Sequence, residues 1–252
     1  PTTLGEAVKI ASEGAGTLSG LGLTSGTRVA VIGSTSTSYL VAWITLQLAG
    51  IEAAMVNPSL PGDLIRQMLS NLDVDGVLWL GRTADTSVAP AACHLDATEL
   101  DRRRLLRCAP EGDVLLSWEG HTGNESLAGV SRGEQDIAGY MHTSGTTGLP
   151  KFCAQTQSYF LRLGRFIADS MELSAEDTVF APLPMFHINP LGYGLVGGLI
   201  GGANVLGSER FSASGFWPTI KANGVTVAFL HAPPVEILKK ATTSGDARGH
   251  GI

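Results

Sequence analysis

The period of apolar and polar positions switches repeatedly along the chain. Residues 28–32 (Arg-Val-Ala-Val-Ile) are a short β-branched run that stops at Gly33, the pattern of a buried strand. Ser and Thr then fill 34–38 and can cap a helix over 39–49, with Gly50 where a helix C-terminal glycine belongs. Residues 53–56 read as a second strand closed by Asn57-Pro58. Leu64, Ile65, Met68, Leu69 and Leu72 recur at helical spacing behind Pro61 and Asp63, and 76–80 read as a third strand. This β-α-β-α-β order predicts parallel strands joined by right-handed crossovers.

Residues 83–133 are less regular. The basic segment 101–107 (Asp-Arg-Arg-Arg-Leu-Leu-Arg) reads as a solvated helix face, 114–118 as a strand and 121–133 as a polar loop. A second alternation follows: a helix over 158–171 with Phe160, Leu161, Phe166 and Ile167 inward, a strand over 178–181, a Gly-rich helix over 191–200 and a strand over 203–206. Phe216, Trp217 and Ile220 then sit at helical spacing before Gly224; 225–230 read as a strand, and Pro233-Pro234 open a last helix reaching 241. The expected fold class is α/β, with layered, doubly wound sheets flanked by helices, divided into a first α/β subdomain over 1–139 and a second over 140–252.

Charge narrows the partners. Seventeen Lys+Arg against 23 Asp+Glu leave a net charge of −6, and no basic stripe offers a nucleic-acid surface. Charged residues make up only 16%, low for a self-contained domain surface. The uncharged run 29–51 is broken by the Ser/Thr segment, and 178–208 contains Pro182, Pro184 and Pro190, so no integral membrane segment is expected. Cys93, Cys108 and Cys153 are widely spaced, which argues for reduced thiols and a cytoplasmic location rather than a disulfide framework. Cys93-His94 has no second pair at zinc spacing.

The stretch richest in chemistry is Thr143-Ser144-Gly145-Thr146-Thr147-Gly148-Leu149-Pro150-Lys151. Gly145 and Gly148 let the backbone turn several N–H groups toward one point, four hydroxyls add uncharged donors, and Lys151 adds a cation. Such a loop suits a polyphosphate, although residue types alone leave a solvated Gly/Thr turn equally open. It is not a P-loop, because Gly145 and Gly148 are three apart and Lys151 is followed by Phe152.

The same nine residues resemble the phosphate-binding signature of the adenylate-forming (AMP-binding) enzymes. Pro182-Leu183-Pro184-Met185-Phe186-His187 resembles a second motif found after it in acyl-CoA synthetases, and 26–58 and 217–234 are similar to flanking elements of that family. The resemblance implies two half-reactions. A carboxylic acid, fatty or related, is joined to ATP as an acyl-adenylate, and the acyl group then passes to the thiol of coenzyme A. On this basis Thr143, Ser144, Gly145, Thr146, Thr147, Gly148 and Lys151 form the phosphate cradle. Thr146 is the hydroxyl near Mg²⁺, and Lys151 and His187 are the catalytic candidates. Asn189 and Tyr193 are candidates to face the acid. The glycines of 191–202 are open to two uses, an acyl tunnel or close helix packing, and His142 reads as structural.

Two positions depart from the family pattern: Phe152 stands where glycine is usual, and Gln157 where histidine follows the threonine. The family's Tyr-Gly-x-Thr-Glu motif, ribose-binding Asp, hinge and C-terminal domain with its catalytic Lys have no counterpart here. The expectation is therefore an N-terminal part of a ligase, inactive alone. A carrier-protein thiol as acceptor, a non-catalytic nucleotide- or acyl-binding module, and a homodimer all stay open.

Overall fold

The computed structural model describes residues 2–80, 104–109, 117–118, 129–143 and 150–242. By packing, the chain falls into two units, Pro1–Gln157 and Ser158–Ile252. Residues 139 and 140, the boundary read from the sequence, lie inside a strand of the first unit.

The first unit opens with α1 (Leu4–Gly20), which the sequence reading lacked. Thr3 and Glu6 close a capping box at its start. Its buried stripe is Ala7, Ala11, Gly14, Ala15 and Leu18, which lets α1 pack on α2 (Thr37–Leu48). Four of those five residues carry too little apolar surface to show as a hydrophobic period. Strands β1 (Arg28–Gly33), β2 (Glu52–Val56) and β3 (Gly76–Leu80), with α3 (Gly62–Leu72), form the expected parallel β-α-β-α-β, β1 lying between β2 and β3. Ser36 caps α2 by accepting the Tyr39 N–H, and Asp73 ends α3 in the left-handed conformation at φ 54°.

The sheet continues on both sides, in the order β5-β4-β3-β1-β2-β6-β7. On one side β4 (Arg104–Ala109) runs parallel to β3, and β5 (Ser117–Trp118) antiparallel to β4. Over 104–107 this corrects the reading of 101–107 as a helix face; 101–103 lie outside the described residues. Leu105 and Leu106 stand in register with Val77 and Leu78, and the ladder offered by β3 outweighs the helical preference of the Arg/Leu run. On the other side β6 (Ile137–His142) is parallel to β2, and β7 (Phe152–Thr156) returns antiparallel along it.

One face of this sheet buries Ile32, Val56, Ile65, Leu69, Val77 and Trp79, with Tyr140 and Phe152 packed against them. Glu52 gathers three strands: it accepts the Tyr140 hydroxyl at 2.7 Å and the Arg28 Nε at 3.1 Å, while Arg28 also donates to the Leu72 carbonyl. Burial, then the Glu52 carboxylate, raises the Tyr140 pKa.

The second unit has a three-stranded parallel sheet in which β8 (Thr178–Ala181) lies between β9 (Asn204–Gly207) and β10 (Val227–Ala228). Around it lie α4 (Gln157–Ser170), a π-helix (Asn189–Gly197) running into α5 (Gly198–Gly201), α6 (Ala213–Asn223) and α7 (Ala232–Ala241). The strand expected over 225–230 pairs only at Val227–Ala228, although Phe229 N–H still donates to the Phe180 carbonyl.

Glycine decides how this unit packs. A Cβ at Gly194 would lie 2.6 Å from the Ala181 Cβ, one at Gly197 2.7 Å from Ile167, one at Gly198 2.6 Å from Val205, and one at Gly164 2.7 Å from Val196 and Ile200. Of the two uses left open for these glycines, the structure shows close packing. It also corrects the inner face of α4. Phe160, Gly164, Ile167 and Ala168 are buried, whereas Leu161 is 57% and Phe166 65% exposed. The helix buries Phe160 and Ile167 together with its small residues Gly164 and Ala168, and leaves Leu161 and Phe166 outside.

Gly194→Val and Gly198→Val should each lower stability in urea unfolding by about 1–3 kcal/mol. Phe166→Ser should change it by less than about 0.5 kcal/mol, since its ring is exposed. A large loss for Phe166→Ser with none for the glycine variants would contradict this packing.

Candidate functional site

In open parallel sheets, ligands collect beyond the carboxyl ends of the strands. In the first unit that edge carries the ends of β1, β2, β3 and β6. Strand β6 ends there, followed by Thr143, and Lys151 precedes the antiparallel β7 at the same edge. The hairpin mouth is closed by two bonds: Thr143 N–H donates to the Lys151 carbonyl at 2.9 Å, and Lys151 N–H donates to the Thr143 hydroxyl at 3.4 Å. Thr143 and Lys151 are both exposed. Lys151 makes no ion pair within 4 Å among the described residues, so its ammonium is available at the mouth. An exposed cation and a hydroxyl on this edge suit an anionic group such as a phosphate.

Ser144, Gly145, Thr146, Thr147 and Gly148 lie outside the described residues, and with them the magnesium role read for Thr146. Among the described residues no group of three or more His, Cys, Asp and Glu side chains is placed to hold a metal ion. Cys153, on β7, is exposed and free; the Cys93-His94 pair is outside the described residues.

The base of the hairpin is held from several directions. Gln47 of α2 donates to the Ala138 carbonyl at 3.0 Å, and Gln157 donates to the Gln47 amide oxygen at 2.9 Å. Arg132 donates to the Ile137 carbonyl. His142, the last residue of β6, accepts the Asn57 N–H on Nε2 at 3.3 Å, and its ring meets Phe152 edge-on at 6.4 Å. The two departures from the family pattern are thus both engaged here: Phe152 closes against His142 and Tyr140, and Gln157 ties the end of β7 to α2. Their side-chain roles could not be foreseen from spacing, because each depends on a partner about ten residues away or far more.

The second unit holds the other candidate. His187 follows β8 in a turn in which its N–H donates to the Pro184 carbonyl at 3.0 Å. Its own carbonyl accepts the Leu191 N–H, and the half-buried imidazole lies 4.5 Å from the Phe186 ring, centroid to centroid. The π-helix begins two residues later, with Pro190 in its first turn. Pi-helical turns are rare and gather at functional sites. Asn189 Oδ1 is buried there with no hydrogen-bond partner among the described residues, and Tyr193 meets Phe229 edge-on at 6.1 Å. Lys151 belongs to the first unit and His187 to the second.

The family model for AMP-binding enzymes matches residues 2–247. Long-chain fatty acid transport protein 1 of Homo sapiens is 29% identical over 240 residues, which cover 90% of this chain and 36% of that protein. The medium/long-chain-fatty-acid–CoA ligase FadD6 of Mycobacterium tuberculosis is 28% identical over 237 residues, 91% of this chain and 37% of the ligase. The chain thus spans about a third of the length of these curated relatives. Among solved structures, the inhibitor-bound N-terminal domain of FACL13 from Mycobacterium tuberculosis aligns with a TM-score of 0.76 at 22% identity, over 96% of this chain and 58% of that one. ATP-bound MatB from Rhodopseudomonas palustris aligns with a TM-score of 0.76 at 20% identity, over 93% of this chain and 47% of MatB. These structural likenesses establish the fold. No helix among the described residues is long and apolar enough to cross a membrane.

Burial lowers the His142 pKa, against a smaller opposing effect of the Thr143 backbone. An unfolded histidine titrates near about 6.5, so the unfolded chain takes up the proton first. The stability His142 contributes is complete above that pH and is lost as pH falls through the lowered folded value. Urea unfolding between pH 7.5 and 5 should show this loss, and His142→Gln should reduce its slope. An identical slope in the variant would remove His142 as its source.

Proposed function

Since the chain belongs to the AMP-binding enzyme family, we propose that it is the N-terminal part of an acyl-CoA synthetase. That enzyme activates a carboxylic acid, fatty or related, as an acyl-adenylate and passes the acyl group to coenzyme A. The observation that carries the reading is the closed mouth of the β6–β7 hairpin, which sets the exposed Lys151 at the edge where the parallel strands β1, β2, β3 and β6 end.

In the first half-reaction a carboxylate oxygen bonds to the α-phosphorus of ATP, and the bond to the β-phosphate oxygen breaks. The electron pair leaves with pyrophosphate, so negative charge grows on the β- and γ-phosphates. Donors fixed before that moment stabilise the charge most effectively, because they need not reorganise. Thr143, Ser144, Gly145, Thr146, Thr147, Gly148 and Lys151 are the residues assigned to hold those phosphates. Mg²⁺, when bound with the help of the Thr146 hydroxyl, supplies further neutralisation of the same charge. His187, in its proline-flanked turn, is assigned to orient the acid carboxylate by hydrogen bonding, with Asn189 and Tyr193 beside it. In the second half-reaction the coenzyme A thiol, as thiolate, attacks the acyl carbonyl and AMP leaves.

The complete enzyme should catalyse acid-dependent ATP–pyrophosphate exchange, and a panel of carboxylic acids in that assay identifies the substrate. Exchange with no acid in the panel would refute the reading. Lys151→Ala should slow exchange by about 100-fold while changing stability by less than about 0.5 kcal/mol, because the side chain is exposed. An unchanged rate would take Lys151 out of the cradle. These 252 residues alone should show no exchange, and measurable exchange would contradict the assignment of essential groups to a further C-terminal part.

A further inference from the structure

We propose that His142 is a positioning residue for the phosphate site. It would set the place of Lys151 by joining the exit of β2 to both strands of the hairpin. This rests on the reading of the hairpin mouth as the nucleotide site.

Three observations carry it. The β2–β6 ladder ends at Met55 and Met141. Beyond that point the Asn57 N–H finds no further β6 backbone in the ladder, and the imidazole Nε2 of His142 accepts it at 3.3 Å. A side chain therefore continues the sheet one step past its last backbone rung. Second, His142 stands directly opposite Phe152 in the β6–β7 register, and the two rings meet edge-on at 6.4 Å with an interplanar angle of 82°. Phe152 is bonded to Lys151, and Thr143, next to His142, makes the two bonds that close the mouth on Lys151. Third, Asn57 is itself fixed, since its side-chain oxygen accepts the Ser59 N–H at 2.9 Å. The imidazole thus has a rigid donor on one side and, on the other, the residue that follows the catalytic lysine. The role requires Nε2 to be the acceptor, and hence the proton of the neutral ring to lie on Nδ1.

The consequence is selective. Loss of the acceptor frees the β2 exit from β6 and lets the hairpin mouth shift, which weakens phosphate binding but leaves the acid's contacts alone. The test is calorimetric titration of MgATP into the complete protein, alongside steady-state KM values for ATP and for the acid. His142→Leu should weaken MgATP binding roughly tenfold and raise the ATP KM in step, with the acid KM held within about twofold. His142→Gln, whose amide oxygen can accept the same N–H, should recover most of the affinity.

The proposal is overturned if His142→Leu binds MgATP as wild type does, if the glutamine variant is as weak as the leucine variant, or if both KM values rise together. A tautomer read from the imidazole ¹⁵N spectrum of the wild-type protein needs no variant, and a protonated Nε2 at neutral pH overturns it equally. If wild-type protein does not bind MgATP, the enzyme reading fails and this proposal fails with it. If wild type binds and the variants do not discriminate, this proposal alone fails.

Discussion

Strand β6 is paired in opposite senses on its two sides, parallel with β2 and antiparallel with β7, and the candidate site depends on that arrangement. Parallel pairing sends the carboxyl end of β6 to the same edge as the ends of β1, β2 and β3. Antiparallel pairing of β7 brings Lys151 back to that edge, opposite Thr143. The approach of β6 to β2 is tight enough that a Cβ at Gly139 would lie 2.6 Å from the Ala53 carbonyl oxygen. Gln47, Arg132 and Gln157 then bind the flanks of the hairpin to α2 and to the segment before β6. The mouth formed by Thr143 and Lys151 is therefore built on a braced frame.

That bracing matters chemically because phosphate chemistry is governed by placement. Charge developing on a leaving pyrophosphate is stabilised best by donors already in position. A lysine on a long side chain gains most from a fixed backbone beneath it. The ring of Phe152 adds mass against His142 and Tyr140 immediately after Lys151. In the second unit the same economy appears in another form. Glycines along the π-helix and α5 bring backbone against β8 and α4, and the His187 turn projects from the end of β8.

Much of this was legible in the chain before its structure. The apolar runs of β1 to β3, the cap in the Ser/Thr segment before α2 and the left-handed Gly224 after α6 are local signals, and each appears where the residues indicated. The candidate segment 143–151 was legible as a motif, but the support of the strands beside it was not, because Gln47–Gln157, Asn57–His142 and Glu52–Tyr140 join residues more than eighty positions apart. The misreadings share a cause. Hydrophobic period weighs bulk, so it overlooked α1, whose buried stripe is mostly Ala and Gly. It also placed Leu161 and Phe166 inward in α4, where Gly164 and Ala168 make the close contact. At β4, a local helical preference yielded to an open ladder on β3.

The most direct measurement of the central claim is hydrogen–deuterium exchange of the complete protein with and without MgATP, read over peptides spanning 137–157. Binding at the hairpin mouth predicts slowed exchange at the amides from Thr143 to Lys151, extending into β7. Protection by MgATP elsewhere, with these amides exchanging at their unliganded rate, would contradict the placement of the phosphate site.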